Sequence, residues 1–331
     1  WPAGFDTATR CARGRLNQRG GDWSAFQPRV EPVDRLHAEQ VGAPAVHVGQ
    51  EVQHAAVRRL VVDAGAACAV IGGIYLLGQA QSGATWGGTP FTVSTTGSFY
   101  AKCSAAGAIE WVNALPLVYD AYRNISSLGL GGALAADGLG NCYVMGNVRR
   151  PSMLGGVALD STTSFLLQAN SSGAIQWVRP FRTQGAAAGN SYASLQNMDV
   201  VGKAAGGCVV LAYFNGFLYT GSAGSNPIYT SNYLSTNNQR AVLINLTNTG
   251  SFQWAQTPPL MGNAPGFIFG IGTDAAGNCY GTGRFGNAGF GLVKYNAAGV
   301  QQWVVTSNPP TVQPNPGSGA AVVADAAGNV T

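Results

Sequence analysis

The chain has 331 residues, only 10% of them charged, a formal net charge of +4 and 47 glycines. That length allows a substantial core, while charge far below the usual quarter of residues disfavours long amphipathic helices. No basic stripe or arginine-plus-aromatic cluster is present, so nucleic acid is not an expected partner.

Residues 1–63 differ in composition from the rest. They hold eight Arg, no Lys, seven acids and all three histidines, His37, His47 and His54. They show no periodicity and no complete signal-peptide pattern, so we expect an irregular leader or linker outside the main fold. The apolar run at 64–78 is shorter than the roughly 20 residues a transmembrane helix requires. No membrane span is expected.

From residue 64 onward the chain is organised by a repeat. Four segments share one pattern: FYAKCSAAGAIEWV (99–112), FLLQANSSGAIQWV (165–178), VLINLTNTGSFQWA (242–255) and GLVKYNAAGVQQWV (291–304). In each, strand-like residues lead to a glycine (Gly107, Gly173, Gly250, Gly299), and a tryptophan lies four positions later (Trp111, Trp177, Trp254, Trp303). Lys102, Gln168, Asn245 and Lys294 fill one polar slot between apolar neighbours. This period of two predicts a strand with one buried face, then a glycine turn and a second strand.

A second motif precedes these hairpins: ADGLGNCYVMG (136–146), TDAAGNCYGTG (273–283) and ADAAGNVT (324–331), with a degenerate copy GKAAGGCVVLA (202–212) and a fainter one, GGIYLLG (72–78). Asp137, Asp274 and Asp325 open a turn that Asn141, Asn278 and Asn329 close, a position suited to side chains that bond nearby backbone. Two hairpins per unit predict an all-β, β-propeller-like array of four-stranded blades. Approximate blades are 64–130, 131–195, 196–262 and 263–312, with a partial fifth at 313–331.

The motif D-x-x-G-N-x-Y-x-x-G followed by G-x-x-x-W resembles the bacterial β-propeller repeats known as SBBP repeats. The resemblance covers roughly 64–331 and is weakest in the third unit, where Lys203 and Gly207 replace Asp and Asn. It implies a bacterial protein that is secreted or on the cell surface, and no particular ligand.

The same alignment decides most of the chemistry. The glycines of GTGRFG (281–286) fit G-x-G-x-x-G, but Gly281 aligns with Val144 and the segment leads into another strand rather than a helix. That excludes a dinucleotide loop. Cys142, Cys208 and Cys279 share a slot with Ile74 and Val330, so they read as small apolar strand residues rather than metal or redox groups. No metal-ligating pattern and no G-x-S-x-G elbow occurs, and no cofactor is expected. Calcium is the one ion the D-x-x-G-N turns could interest, yet each offers a single carboxylate where six to eight oxygens are wanted.

Function is therefore expected in the connections between strands. Two are rich in aromatics and suit a glycan, peptide or protein ligand: Tyr119 and Tyr122 in one, and Tyr213, Phe217, Tyr219, Tyr229 and Tyr233 in the other. The preferred reading is a non-catalytic binding module. The alternative is a hydrolase of a polysaccharide or ester using acids outside the repeat, Asp120, Asp160 or Asp199, since glycoside hydrolysis needs two carboxyl groups at a suitable separation.

Overall fold

A computed structural model describes residues 10–13, 66–70, 73–80, 85–86, 89–90, 97–118, 133–148, 152–159, 164–184, 195–214, 217–220, 229–230, 240–258, 266–285, 289–307, 321–325 and 328–331. The described chain is all-β and its sheets are antiparallel; no helix occurs among the described residues. No helix of the described chain is long and apolar enough to cross a membrane, and the apolar run at 64–78 contributes strands instead.

Four units follow one another. The first comprises β1 (Arg10–Arg13), β2 (Ala66–Val70), β3 (Gly73–Ala80), a two-residue pair β4 (Thr85–Trp86) and β5 (Thr89–Pro90), then β6 (Gly97–Cys103) and β7 (Ile109–Val118). Its sheet order is β1-β2-β3-β6-β7. Four residues of the atypical N-terminal segment thus join the repeat, with Cys11 opposite Cys68. The rest of 1–63 lies outside the described residues, including the three histidines.

The second unit has β8 (Ala133–Ala136), β9 (Cys142–Asn147), a small hairpin β10 (Ser152–Leu154) and β11 (Val157–Leu159), then β12 (Ser164–Ala169) and β13 (Ile175–Gln184). The third has β14 (Leu195–Gly202), β15 (Cys208–Phe214), an inserted hairpin β16 (Phe217–Thr220) and β17 (Tyr229–Thr230), then β18 (Arg240–Leu246) and β19 (Phe252–Gln256). The fourth is the plain unit: β20 (Gly266–Thr273), β21 (Cys279–Phe285), β22 (Phe290–Tyr295) and β23 (Gln301–Thr306). A bridge between Ala324 and Val330 closes the last turn.

The sheets stack face to face, and each core is shared by two successive units. Tyr75 and Tyr100 of the first pack with Val144 and Leu167 of the second. Tyr143 and Leu166 of the second pack with Val210 and Ile244 of the third, and Leu211 and Leu243 of the third with Ile268 and Val293 of the fourth. Successive units also touch through β2 with β8, β8 with β14 and β14 with β20.

This stacking corrects the expected one buried face per strand. Every residue of β12 and β15 is buried, because a sheet between two neighbours has no wet face. The polar slot is therefore internal: Gln168 and Asn245 are buried. β22, in the last complete unit, does alternate between exposed or half-buried and buried residues.

The three aligned cysteines are free and buried, as their slot requires. Burial raises the Cys208 thiol well above its usual range and pushes Cys279 up to about 12. Because the folded state disfavours the thiolate, this part of the stability is fully present below the ordinary thiol range. It should be lost as pH rises from about 9 towards 12. At pH 8, iodoacetamide should leave both thiols unmodified in native protein and label both in urea. Rapid native labelling of either, read by peptide mass spectrometry, would contradict this packing.

The GTGRFG glycines are likewise structural. Gly281 and Gly283 lie within β21, paired with Ile271 and Ile268. A Cβ on Gly283 would collide with the Phe267 carbonyl oxygen of the neighbouring strand.

Candidate functional site

The repeated residues build the joints between units. In all four Trp hairpins a bulge follows the polar slot, so Lys102, Gln168, Asn245 and Lys294 each stand opposite the tryptophan of their own unit. The tryptophan then reaches the next unit. Trp111 donates its indole N–H to Ser171 O, Trp177 to Asn248 O and Trp254 to Ala297 O, each at 2.9 Å. Its ring covers the next glycine turn: a Cβ on Gly173, Gly250 or Gly299 would lie 2.6–2.8 Å from the nearest ring atom of Trp111, Trp177 or Trp254. These glycines also have φ of 73–84°, which other L residues enter at a cost. The spacing G-x-x-x-W is thus the signature of a lock between consecutive hairpins.

The D-x-x-G-N turn is a second joint. Asp137 is buried and accepts four hydrogen bonds, from the amides of Leu139 and Asn141, from Asn141 Nδ2 and from the Tyr143 hydroxyl. Tyr143 in turn accepts from Gln168 Nε2 and from the Gly207 amide of the third unit. Asp274, Asn278 and Tyr280 repeat the arrangement, with the Lys294 ammonium 4.0 Å from Asp274. Where Lys203 replaces the aspartate, the slot residue changes with it: Lys203 donates to Asn245 Oδ1 at 2.7 Å. Burial depresses the Lys203 ammonium. The turn carboxylates are thus engaged by protein donors, and among the described residues no cluster of three or more His, Cys, Asp or Glu is placed to hold a metal.

Function must then be sought off the repeat, and one insertion stands out. β13 is ten residues long, and residues 181–184 pair with β16, which belongs to the third unit in sequence. The insertion thereby extends the second sheet to six strands, in the order β17-β16-β13-β12-β9-β8. Leu218 points into the core beside Phe181. Phe217 and Tyr219 lie on the opposite face, and Arg182 stands directly across from Tyr219. All three are half-buried. Two aromatic rings and a guanidinium on one sheet face form a surface suited to stacking and polar contact with a flat, hydroxylated ligand.

The other candidates fall elsewhere. Tyr213 is corrected from a loop ligand to a core residue. It is the penultimate residue of β15, is 5% exposed, stacks on Phe267 at 6.0 Å and donates its hydroxyl to Ile268 O at 2.7 Å. The apolar run that looked like a loop is the end of a doubly buried strand. Tyr229 lies in β17, opposite Leu218. Asp199 sits at a bulge in β14, half-buried, with Oδ1 accepting from the Val200 amide at 2.9 Å. Tyr119, Asp120, Tyr122, Asp160 and Tyr233 lie outside the described residues. The structure therefore brings together Phe217 and Tyr219 and adds Arg182, whose only sequence signal is the unusual length of the run after Trp177.

The class these features define is an all-β repeat protein of stacked antiparallel units. No family model matches the chain, and no curated protein does. Similar solved structures include a subtype N10 neuraminidase-like protein of A/little yellow-shouldered bat/Guatemala/060/2010, at 13% identity and a TM-score of 0.34, covering 71% of this chain and 54% of that one. The rhamnogalacturonan lyase YesW is 15% identical with a TM-score of 0.30, covering 78% of this chain and 53% of that one. For the exotype rhamnogalacturonan lyase YesX the values are 11% and 0.30, with 73% and 50% covered. The chain thus spans about half the length of each of these structures.

Proposed function

We propose that this chain is a non-catalytic binding module of β-propeller architecture, secreted or displayed on a bacterial surface, that takes a glycan on the face formed by β13 and β16. The observation that carries the reading is the placement of Arg182 of β13 on one sheet face with Phe217 and Tyr219, which lie on an insertion that the repeat itself does not need. Successive contact between β2, β8, β14 and β20 supports a radial arrangement of the units about these four strands. The extracytoplasmic setting rests on the resemblance to SBBP repeats.

The test is a glycan array followed by titration of the best ligand. Tyr219→Ala and Phe217→Ala should each weaken binding about tenfold or more, in line with the loss of a stacked aromatic anchor, with unfolding midpoints close to that of the parent. Undiminished binding in both variants would remove this face from consideration. Turnover of a polysaccharide or ester that Asp199→Asn abolishes would replace binding with hydrolysis.

A further inference from the structure

The tryptophan lock occurs three times inside the molecule, and its two halves are also presented singly at the two ends of the array. Gly107 has φ of 83°, like its counterparts, and its turn shows the same bond from Gly107 N to Ser104 O. Yet a Cβ there would meet nothing within 4 Å, and Gly107 is exposed where Gly173, Gly250 and Gly299 are buried. At the other end stands Trp303. Tyr280 holds it at 6.1 Å and 53°, nearly the pose of Trp111 on Tyr75 (5.9 Å, 53°) and Trp177 on Tyr143 (6.0 Å, 53°). Trp303 is thus aimed as its homologues are, but its indole N–H has no acceptor among the described residues.

The rest of that face points the same way. Leu292 stands opposite Val305, and Lys294 opposite Trp303, so these four share one side of the fourth sheet with Phe290. Val305 is 56% exposed and Phe290 38%. The residues aligned with Phe290 and Leu292 in the third unit, Ala241 and Leu243, are fully buried against the fourth. Residues 321–325 and 328–331 cover the inner part of the face. There Tyr280, Val322 and Ala324 pack together with Leu292 and Trp303 half-buried against them, and the Tyr280 hydroxyl contacts Gly328 O as Tyr75 contacts Gly140 O. The Asp325–Asn329 turn occupies, against the fourth unit, the place that Asp137–Asn141 occupies against the first. A first hairpin of the repeat pattern is therefore already docked, beside an outer surface that in every interior joint receives a second hairpin.

We infer that the outer face of the fourth sheet, Trp303 with Leu292, Val305 and Phe290, is a docking surface for a β-hairpin carrying the N/T-x-x-G turn of this repeat. Its glycine sits beneath the Trp303 ring, and the carbonyl two positions before that glycine accepts the indole N–H. The occupant is a β-hairpin of this repeat pattern, seated beside residues 321–325 as a second hairpin sits beside a first in the interior units. The Gly107 turn of a second copy fits less well, because it carries its own β3, which would compete with residues 321–331 for one place. The inference rests on the geometry of the joints and is independent of the ligand proposed for β13 and β16.

The test appends a copy of residues 289–307 after Thr331 through a short flexible linker. The extension, with its own tryptophan replaced by Phe, should raise the unfolding midpoint by about 3 °C or more and reduce oxidation of the Trp303 indole, read by peptide mass spectrometry. Both gains should vanish when the appended turn glycine is replaced by Val, and the gain in midpoint should vanish with Trp303→Ala. No gain from the extension, or a gain that survives Trp303→Ala, would overturn the inference. So would concentration-dependent assembly of the unextended chain that Trp303→Ala abolishes, which would assign the face to a second copy.

Discussion

Gly250→Ala should destabilise the protein by about 3 kcal/mol, whereas Gly107→Ala should cost only about 1–2 kcal/mol. The two glycines occupy the same repeat position with the same left-handed backbone, φ 73° and 83°. Both variants therefore carry the cost of placing a Cβ in that region, about 1–2 kcal/mol. At Gly107 the new methyl projects into open space. At Gly250 it lies 2.7 Å from Cδ2 of Trp177, a ring held in place by its bond to Asn248 O. Displacing that ring adds an overpacking cost of about 1–3 kcal/mol. Urea unfolding of both variants measures the difference. Equal losses would mean that the glycine serves its turn alone and that the tryptophan contact is incidental.

Asp137→Ala should cost about 3–4 kcal/mol and Asp325→Ala about 1 kcal/mol, although the two turns share a sequence. The Asp137 carboxylate is 2% exposed and is the acceptor for four donors, one of them the buried Tyr143 hydroxyl. Its removal strands those donors where water does not replace it, and each stranded group costs about 1–3 kcal/mol. Asp325 receives the Asn329 amide and side chain in a half-buried turn that water can reach. Thermal or urea unfolding again decides, and a small loss at Asp137 would show the second and third units to be joined mainly by apolar contact.

The joints were legible in the sequence as a pattern before their meaning was. Four tryptophans in register with four glycines give the hairpins, and the Asp–Asn turns give the second pair of strands in each unit. The alignment also places Cys142, Cys208 and Cys279 in the core. What it does not give is which unit each partner belongs to. The acceptor of Trp177 lies 71 residues downstream in the next hairpin, a separation that local periodicity does not encode. For the same reason the polar slot looked solvent-facing. Gln168 and Asn245 alternate with apolar neighbours as an exposed face would, but the next sheet covers them and Tyr143 or Lys203 satisfies them. Tyr213 was misplaced because a strand buried on both faces has no alternation to mark its end. The candidate site was half legible: Phe217 and Tyr219 stand out by composition. Arg182 becomes visible only when the insertion of the third unit is seen to pair with a strand of the second.

The most direct test of the tryptophan lock is a double-mutant cycle on Trp177 and Gly250, read by urea unfolding. Trp177→Ala alone should cost about 3–5 kcal/mol, as large aromatic truncations do. If the ring and the turn form one joint, the alanine at position 250 loses its obstacle once the ring is gone. The double variant should then be more stable than the sum of the single losses predicts, by about 1 kcal/mol or more. Losses that add to within about 0.5 kcal/mol would contradict the account.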